Sequence, residues 1–385
     1  MKDQLSLNDE EECDSPRAAA AYYWWRSAAK FEECARFKLD IPNLSKITPK
    51  LKILKEMERL ALIAAEGLGE LRHKLFTYRS GDFWVPTGGL KKEEMDIPPL
   101  NTILLVGFHN SGKSSLVNLL YSVLGHSGLV PFAQSSSRGA SNYRSWLMEE
   151  HNVLRSMKSG FCVYDTRGFD YDRVCEGVEE LSEWMTDGVH HNQLCLRAGD
   201  PVLSEDELEI PMLKSSSKFA NRRVNCVMVV ANVAEIYKAF KETDKKPLEA
   251  LRDLFCSSAL KKCNEKPILI LTHGDKLSTE DRIEGRLKIC EYLGVSEATG
   301  VYDIVCVTEY GFLADECDAV TTYALTEAVY RALLISDRGH LPKRNLLDWA
   351  FFLLSWLMCF MGAFFALLAH FFSKVGHRER NRLKF

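Results

Sequence analysis

The stretch Thr102 to Ser115, TILLVGFHNSGKSS, constrains this chain more than any other. Apolar residues Ile103 to Val106 run into Gly107, and Gly112-Lys113-Ser114 follow at the spacing G-x-x-x-x-G-K-S. The pattern predicts a strand, a phosphate-cradling loop and a helix over Lys113 to Leu124 whose positive end faces the phosphates. Backbone N–H groups across Gly107, Asn110, Ser111, Gly112 and Ser115 suit phosphate oxygens, and Lys113 offers a mobile cation to the outer two phosphates. Ser114 is the expected hydroxyl ligand of Mg²⁺. A bound nucleoside triphosphate is the direct implication.

Two later stretches extend the pattern. Gly160 to Tyr164 reads as an apolar strand ending in Asp165-Thr166-Arg167-Gly168, where Asp165 can hold the Mg²⁺ shell and Gly168 lets a backbone N–H approach the γ-phosphate. Val224 to Ala231 and Pro267 to Leu271 have the uninterrupted apolar character of parallel strands buried on both faces. The second runs into Thr272-His273-Gly274-Asp275, where Asp275 can accept from the guanine ring N–H and amino group, an edge adenine does not present. GTP and GDP are therefore the expected nucleotides, with Mg²⁺. A last strand, Ile304 to Val307, ends at Thr308-Glu309, where a backbone N–H can face the guanine carbonyl. Helices are expected near Pro247 to Leu260, Thr279 to Leu293 and Asp318 to Ile335. The fold class that follows is α/β, a P-loop, GTPase-like, mostly parallel sheet flanked by helices.

Composition limits the partners. A net charge of −4 over 385 residues gives no reason to expect nucleic acid, and the 12 cysteines form no C-x-x-C pair and read as reduced thiols. No apolar signal region opens the chain: residues 1–14 are acidic and expected to be disordered. Residues 15–80 read as helical. Ser15-Pro16 starts a first helix carrying Tyr22, Tyr23, Trp24 and Trp25, and a second runs from Thr48 to about Tyr78. That second helix spaces Ile53, Met57, Leu60, Ala64, Leu68, Leu71 and Leu75 as a seam for a partner helix, in this chain or in a second copy. Gly67 and Gly69 weaken it as a free-standing coiled coil. The two helices are expected to form a hairpin leaning on the next domain. Residues 81–99 are a linker, 100–338 the nucleotide domain, and Pro201 to Arg223 a solvated insertion; His190 and His191 beside it are expected to be surface residues.

The order GFHNSGKS, DTRG, THGD, VTE resembles the translation-factor-related class of P-loop GTPases. YRSW at 143–146, NRRVNCVMVVANVAEI at 221–236, LTHGDKL at 271–277 and TTYALTEAVYRALLISD at 321–337 resemble the interferon-induced protein 44 family of GTPase-like proteins. That resemblance spans about Pro99 to Asp337. It implies nucleotide roles for Gly107, Gly112, Lys113, Ser114, Asp165, Gly168, Thr272 and Asp275. The chain departs from the pattern in four places. His273 replaces the usual base-stacking Lys. Phe169 stands where Ras-like enzymes have a water-orienting Gln, and a phenyl ring cannot position water. No Thr lies between Ser115 and Thr166, leaving Ser135, Ser136 or Ser137 for closure over Mg²⁺. His109 and Asn110 stand where many small GTPases have Gly; by similarity to dynamin-like GTPases they are candidate catalytic residues, and the alternative is that they are tolerated polar loop residues.

At the C-terminal side the run Trp349 to Phe372 contains no charge. As a helix it spans about 36 Å, against roughly 30 Å of bilayer hydrocarbon, so one tilted crossing fits. Residues 339–348 form a linker and 373–385 a basic tail. A span so late in the chain predicts post-translational insertion, with the nucleotide domain in the cytosol. The organelle stays open between the endoplasmic reticulum and a mitochondrial, plastid or peroxisomal outer membrane. Two functions compete: a membrane-anchored GTPase switch with slow hydrolysis assisted by an effector protein or a homodimer, and a nucleotide-binding scaffold with negligible turnover. An ATP-dependent phosphotransferase is disfavoured, because no substrate-base motif accompanies the loop.

Overall fold

Continuous apolar runs become the centre of a sheet because both their faces are covered, and four such runs do so here. In the computed structural model β1 (Asn101–Gly107) and β5 (Cys226–Asn232) are buried at every position, as is β6 (Ile268–Thr272), while β3 (Phe161–Asp165) is buried up to its last residue. The structure describes residues 48–86, 89–125, 133, 146–154, 160–197, 200, 220–261, 266–306, 318–343 and 346–382. Among them the sheet has seven strands in the order β4-β2-β3-β1-β5-β6-β7, with β2 at Leu147–His151, β4 at Gln193–Leu194 and β7 at Val301–Asp303. β3, β1, β5, β6 and β7 are mutually parallel, whereas β2 runs antiparallel to both β3 and β4.

Side-chain alternation sends successive residues to two separate cores. Ile103, Leu105, Phe161, Val163, Met228, Val230 and Ile270 face one core, with α1 (Pro49–Thr77), α2 (Lys113–Gly125) and α8 (Ala319–Arg338). Leu104, Val106, Tyr164, Val227, Val229 and Leu269 face the other. That second core is covered by α3 (Val174–Asp187), α4 (Val233–Lys241), α5 (Lys246–Phe255), α6 (Ser258–Lys261) and α7 (Thr279–Leu293).

The seam of α1 meets a helix of the same chain. Ile53, Met57, Leu60, Ala64, Leu71 and Leu75 are buried, and α1 packs along α8. Gly67 belongs to that contact, since the Tyr323 ring of α8 lies 3.0 Å from where a Cβ would stand. Arg59 adds a bidentate pair to Glu56 and a 3.0 Å contact to Glu327. Helix α1 ends at a turn whose N–H groups are taken by Asp337, at the end of α8: Oδ1 accepts from Tyr78 Oη at 2.8 Å, Gly81 N at 2.9 Å and Asn101 Nδ2 at 2.7 Å, and Oδ2 from Phe83 N at 2.8 Å.

Two expected elements differ. The last strand is Val301–Asp303, not Ile304 to Val307. Ile304 to Cys306 are buried as an irregular segment, and burial alone made the apolar run read as a strand. The helix expected over Pro247 to Leu260 is two helices, α5 and α6, parted at Cys256 and Ser257. The first N-terminal helix, the serines at 135–137, most of the 201–223 insertion and Thr308 with its neighbours lie outside the described residues. Among the described residues Cys162, Cys195, Cys226, Cys290 and Cys306 are buried free thiols.

Residues 86–96 and 340–385 form a second unit. In it Met95 and Pro342 make an antiparallel bridge, flanked by Asp96 N to Leu341 O at 2.8 Å and Lys343 N to Glu94 O at 2.7 Å. Helix α9 (Leu346–Arg382) follows, and its segment Ala350–Phe371, 22 residues, is long and apolar enough to cross a membrane. The apolar side chains along it, from Phe351 to Phe371, are exposed, as a core helix would not be.

Candidate functional site

The site forms where β1, β3 and β6 end on one edge of the sheet, with their loops side by side. Between β1 and α2 the chain must turn sharply, and Gly112, at φ +90°, and Asn110, at φ +58°, supply the left-handed conformations. Lys113 is buried, and its ammonium donates to two carbonyls of its own loop, Gly107 O at 3.2 Å and Phe108 O at 3.1 Å. Burial lowers its pKa to about 8, opposed by Asp165 and reinforced by Arg197. A cation held with so little compensation is poised for an anion.

Ser114 and Asp165 meet across the loop, with Ser114 Oγ donating to Asp165 Oδ2 at 2.6 Å. Burial raises the Asp165 pKa, while Lys113 and the Ser114 hydrogen bond oppose it. Oδ1 of Asp165 is buried with no partner among the described residues. A hydroxyl, a carboxylate and an unspent carboxylate oxygen at the mouth of a phosphate loop are hard oxygen ligands that fit a Mg²⁺ ion, which would neutralise phosphate charge there.

The D-T-R-G turn is stitched to the phosphate loop. Phe169 N donates to Gly107 O at 3.0 Å and His109 N to Phe169 O at 2.9 Å, so Gly168 lies against His109, whose N and Cα are both 2.9 Å from where a Cβ would stand. Phe169 is 2 % exposed and points away from the loop into the second core, stacked on Trp184 and against Gly177. Its side chain therefore fills a pocket of α3. His109 and Asn110 are exposed on the loop; partial withdrawal from water, then the charges of Lys113, Arg197 and Arg167, lower the His109 pKa to about 4, so its ring is neutral near pH 7.

On the base side, Thr272 Oγ1 donates to Ser111 O at 2.6 Å, tying β6 to the phosphate loop. His273 adopts φ +58° and places its ring 3.3 Å from the Cβ position of Gly112, with burial lowering its pKa. Asp275 is exposed and makes no hydrogen bond among the described residues. Beneath it, buried Arg282 on α7 pairs with Asp303 at the end of β7, Nε to Oδ2 at 2.7 Å. The structure thus brings Gly107, His109, Asn110, Ser111, Gly112, Lys113, Ser114, Ser115, Asp165, Gly168, Thr272 and His273 to one edge, with Asp275 on the loop beyond.

Two arginines escaped the sequence reading. Arg197, beyond β4, donates through Nη1 to Gly168 O at 2.6 Å and pairs with Glu180 of α3 at 2.7 Å. Arg167 pairs with Asp200 and donates to Cys195 O at 2.8 Å. Together they fix the D-T-R-G turn to α3 and to the loop after β4. No spacing rule announces Arg197.

No protein-family model matches the chain, and no curated protein matches it. Among solved structures it is similar to one titled "Crystal structure of a probable GTP-binding protein engB", at 14% identity and a TM-score of 0.34, covering 62% of this chain and 100% of that one.

Proposed function

We propose that this chain binds GTP and GDP with Mg²⁺, is attached to a membrane through α9, and hydrolyses GTP slowly unless a partner assists. The observation that carries the reading is the cluster at the loop: buried Lys113 donating to two loop carbonyls, half-buried Ser114 donating to Asp165, and Asp165 Oδ1, a buried atom with no hydrogen-bond partner among the described residues. Lys113 and the loop N–H groups would take the outer phosphates, Ser114 and Asp165 the metal, and Gly168 N–H the third phosphate. Guanine preference rests on Asp275, uncommitted at the end of β6, with His273 supplying a ring in place of the usual lysine stem.

Slow hydrolysis follows from Phe169, which presents nothing to a water. Neutral His109 is the side chain at the rim able to accept a proton or donate one to a developing charge, and Asn110 is its neighbour. The same burial of Phe169 favours the second reading, a nucleotide-binding scaffold without turnover. Membrane attachment is supported by the exposed apolar length of Ala350–Phe371.

The test is titration of labelled GTP, GDP and ATP with Mg²⁺ onto the full chain in detergent micelles, beside Lys113→Ala and Asp275→Asn, while following phosphate release. Binding lost in Lys113→Ala, with guanine preference lost in Asp275→Asn and release that rises with protein concentration, supports the switch. Tight binding without release selects the scaffold, and no binding to the wild type overturns the proposal. Resistance to alkaline extraction from membranes checks the anchor, with deletion of 346–385 expected to release the chain.

A further inference from the structure

Arg197 makes more of its surroundings than a surface pair does. Nε and Nη2 both donate to Glu180 Oε2, at 2.9 and 2.7 Å, and Nη1 donates to Gly168 O at 2.6 Å. Its Cζ lies 5.1 Å from the centroid of the Phe169 ring. The side chains of Arg197 and Glu180 are 9% and 15% exposed, so neither charge is well screened by water.

Position decides which ligand such a cation can sense. The first two phosphates of a nucleotide belong to the loop from Gly107 to Ser114, whereas Gly168 is where a third would arrive. A charge held at Gly168 therefore acts on triphosphate and leaves diphosphate nearly untouched. Glu180, on the other side of the guanidinium, neutralises part of that charge.

We propose that Arg197 is a specificity-determining cation that favours triphosphate over diphosphate, and that Glu180 restrains it. This rests on the nucleotide reading above. If the pair were only a structural clamp between the D-T-R-G turn and α3, removing either partner would shift binding in the same direction. A restrained cation predicts opposite directions.

The experiment measures affinities of the full chain in detergent micelles for GDP and for a non-hydrolysable GTP analogue, both with Mg²⁺, in wild type, Arg197→Ala, Arg197→Lys and Glu180→Gln. Arg197→Ala should weaken analogue binding about tenfold, the order expected for one charge-assisted hydrogen bond, with GDP affinity within about twofold. Glu180→Gln should raise the analogue-to-GDP preference by roughly threefold, since the freed charge is no longer paired. Arg197→Lys keeps the charge but loses the fork that spans Glu180 and Gly168 O, so it should keep part of the preference, between wild type and Arg197→Ala. Should Arg197→Ala fail to fold, the other two variants decide: a preference that falls or stays level in Glu180→Gln overturns the proposal. Equal losses for both nucleotides in Arg197→Ala overturn it too. A wild type that binds neither nucleotide sinks the nucleotide reading itself, and that result is recognisable before any variant is made.

Discussion

Replacing Asp337 by Ala removes the acceptor that ties the end of α1 to the end of α8. The carboxylate is fully buried and accepts at least four hydrogen bonds, from Tyr78 Oη, Gly81 N, Asn101 Nδ2 and Phe83 N. Each bond to a charged acceptor is worth about 1.5–3 kcal/mol, but four on one carboxylate do not add. Ala leaves two backbone N–H groups, an amide and a phenol competing for whatever water can enter the vacated space. A net loss of about 4 kcal/mol follows, in the range for breaking a buried charged network. Asp337→Asn keeps Oδ1 and turns an amide toward Phe83 N, losing about one bond and the charge, roughly 1–2 kcal/mol. At roughly 2–4 °C per kcal/mol, melting should fall by about 10 °C in Ala and about 4 °C in Asn. Circular dichroism melts of the full chain in detergent micelles measure both, and hydrogen exchange should show α1 loosening first. Equal effects of the two variants, or an Ala variant within about 1 kcal/mol of wild type, would refute the reasoning.

Four further outcomes are expected. Lys113 has a pKa near 8 without an anion and should be held protonated by phosphates. Below that pH the ammonium is charged in both states and affinity is flat; above it, binding must take up a proton, so Kd should rise by up to about tenfold per pH unit. The stability of the nucleotide-free protein runs the other way between pH 8 and the ordinary lysine value of 10.5, rising with pH because the unfolded chain holds the proton there. Phe169→Gln should lower stability by about 3 kcal/mol without accelerating phosphate release, because the side chain enters the α3 pocket and not the loop; faster release would contradict that orientation. Gly168→Ala drives a Cβ to 2.9 Å from backbone atoms of His109 and should weaken triphosphate more than diphosphate, read by the same titrations.

Strands buried on both faces were readable because their sequence is apolar without interruption, which is why β1, β3, β5 and β6 fall where the residues place them. β2, LMEEH, carries two glutamates, and β4 has only Gln193 and Leu194; neither has enough residues or alternation to be seen before the sheet exists. The seam of α1 was legible as a seam, but spacing of four and three residues specifies a partner helix without naming it. Only the packing supplies α8, with Tyr323 filling the space over Gly67. The end of β7 misled for the opposite reason: Val305 and Cys306 are as apolar and buried as a strand, but the pairing with β6 ends at Ile304 N to Leu271 O.

The site divides in the same way. The loop residues were legible because the G-x-x-x-x-G-K-S and D-x-x-G spacings fix their local order, and the structure brings Gly107 to Ser114 together with Asp165 and Gly168. Arg197 and Glu180 reach Gly168 from two other segments, so their meeting is a property of the fold alone. Phe169 shows what the fold adds. The sequence tells that a water-orienting amide is missing; the structure tells where the ring goes, between Gly177 and Trp184 and beneath Arg197. The turn is fastened at Phe169 both to α3 and, through Phe169 N to Gly107 O and His109 N to Phe169 O, to the phosphate loop, and at Gly168 to Arg197. Through those contacts Gly168 is tied to α3 by way of Arg197 and Glu180, and Phe169 by way of Trp184.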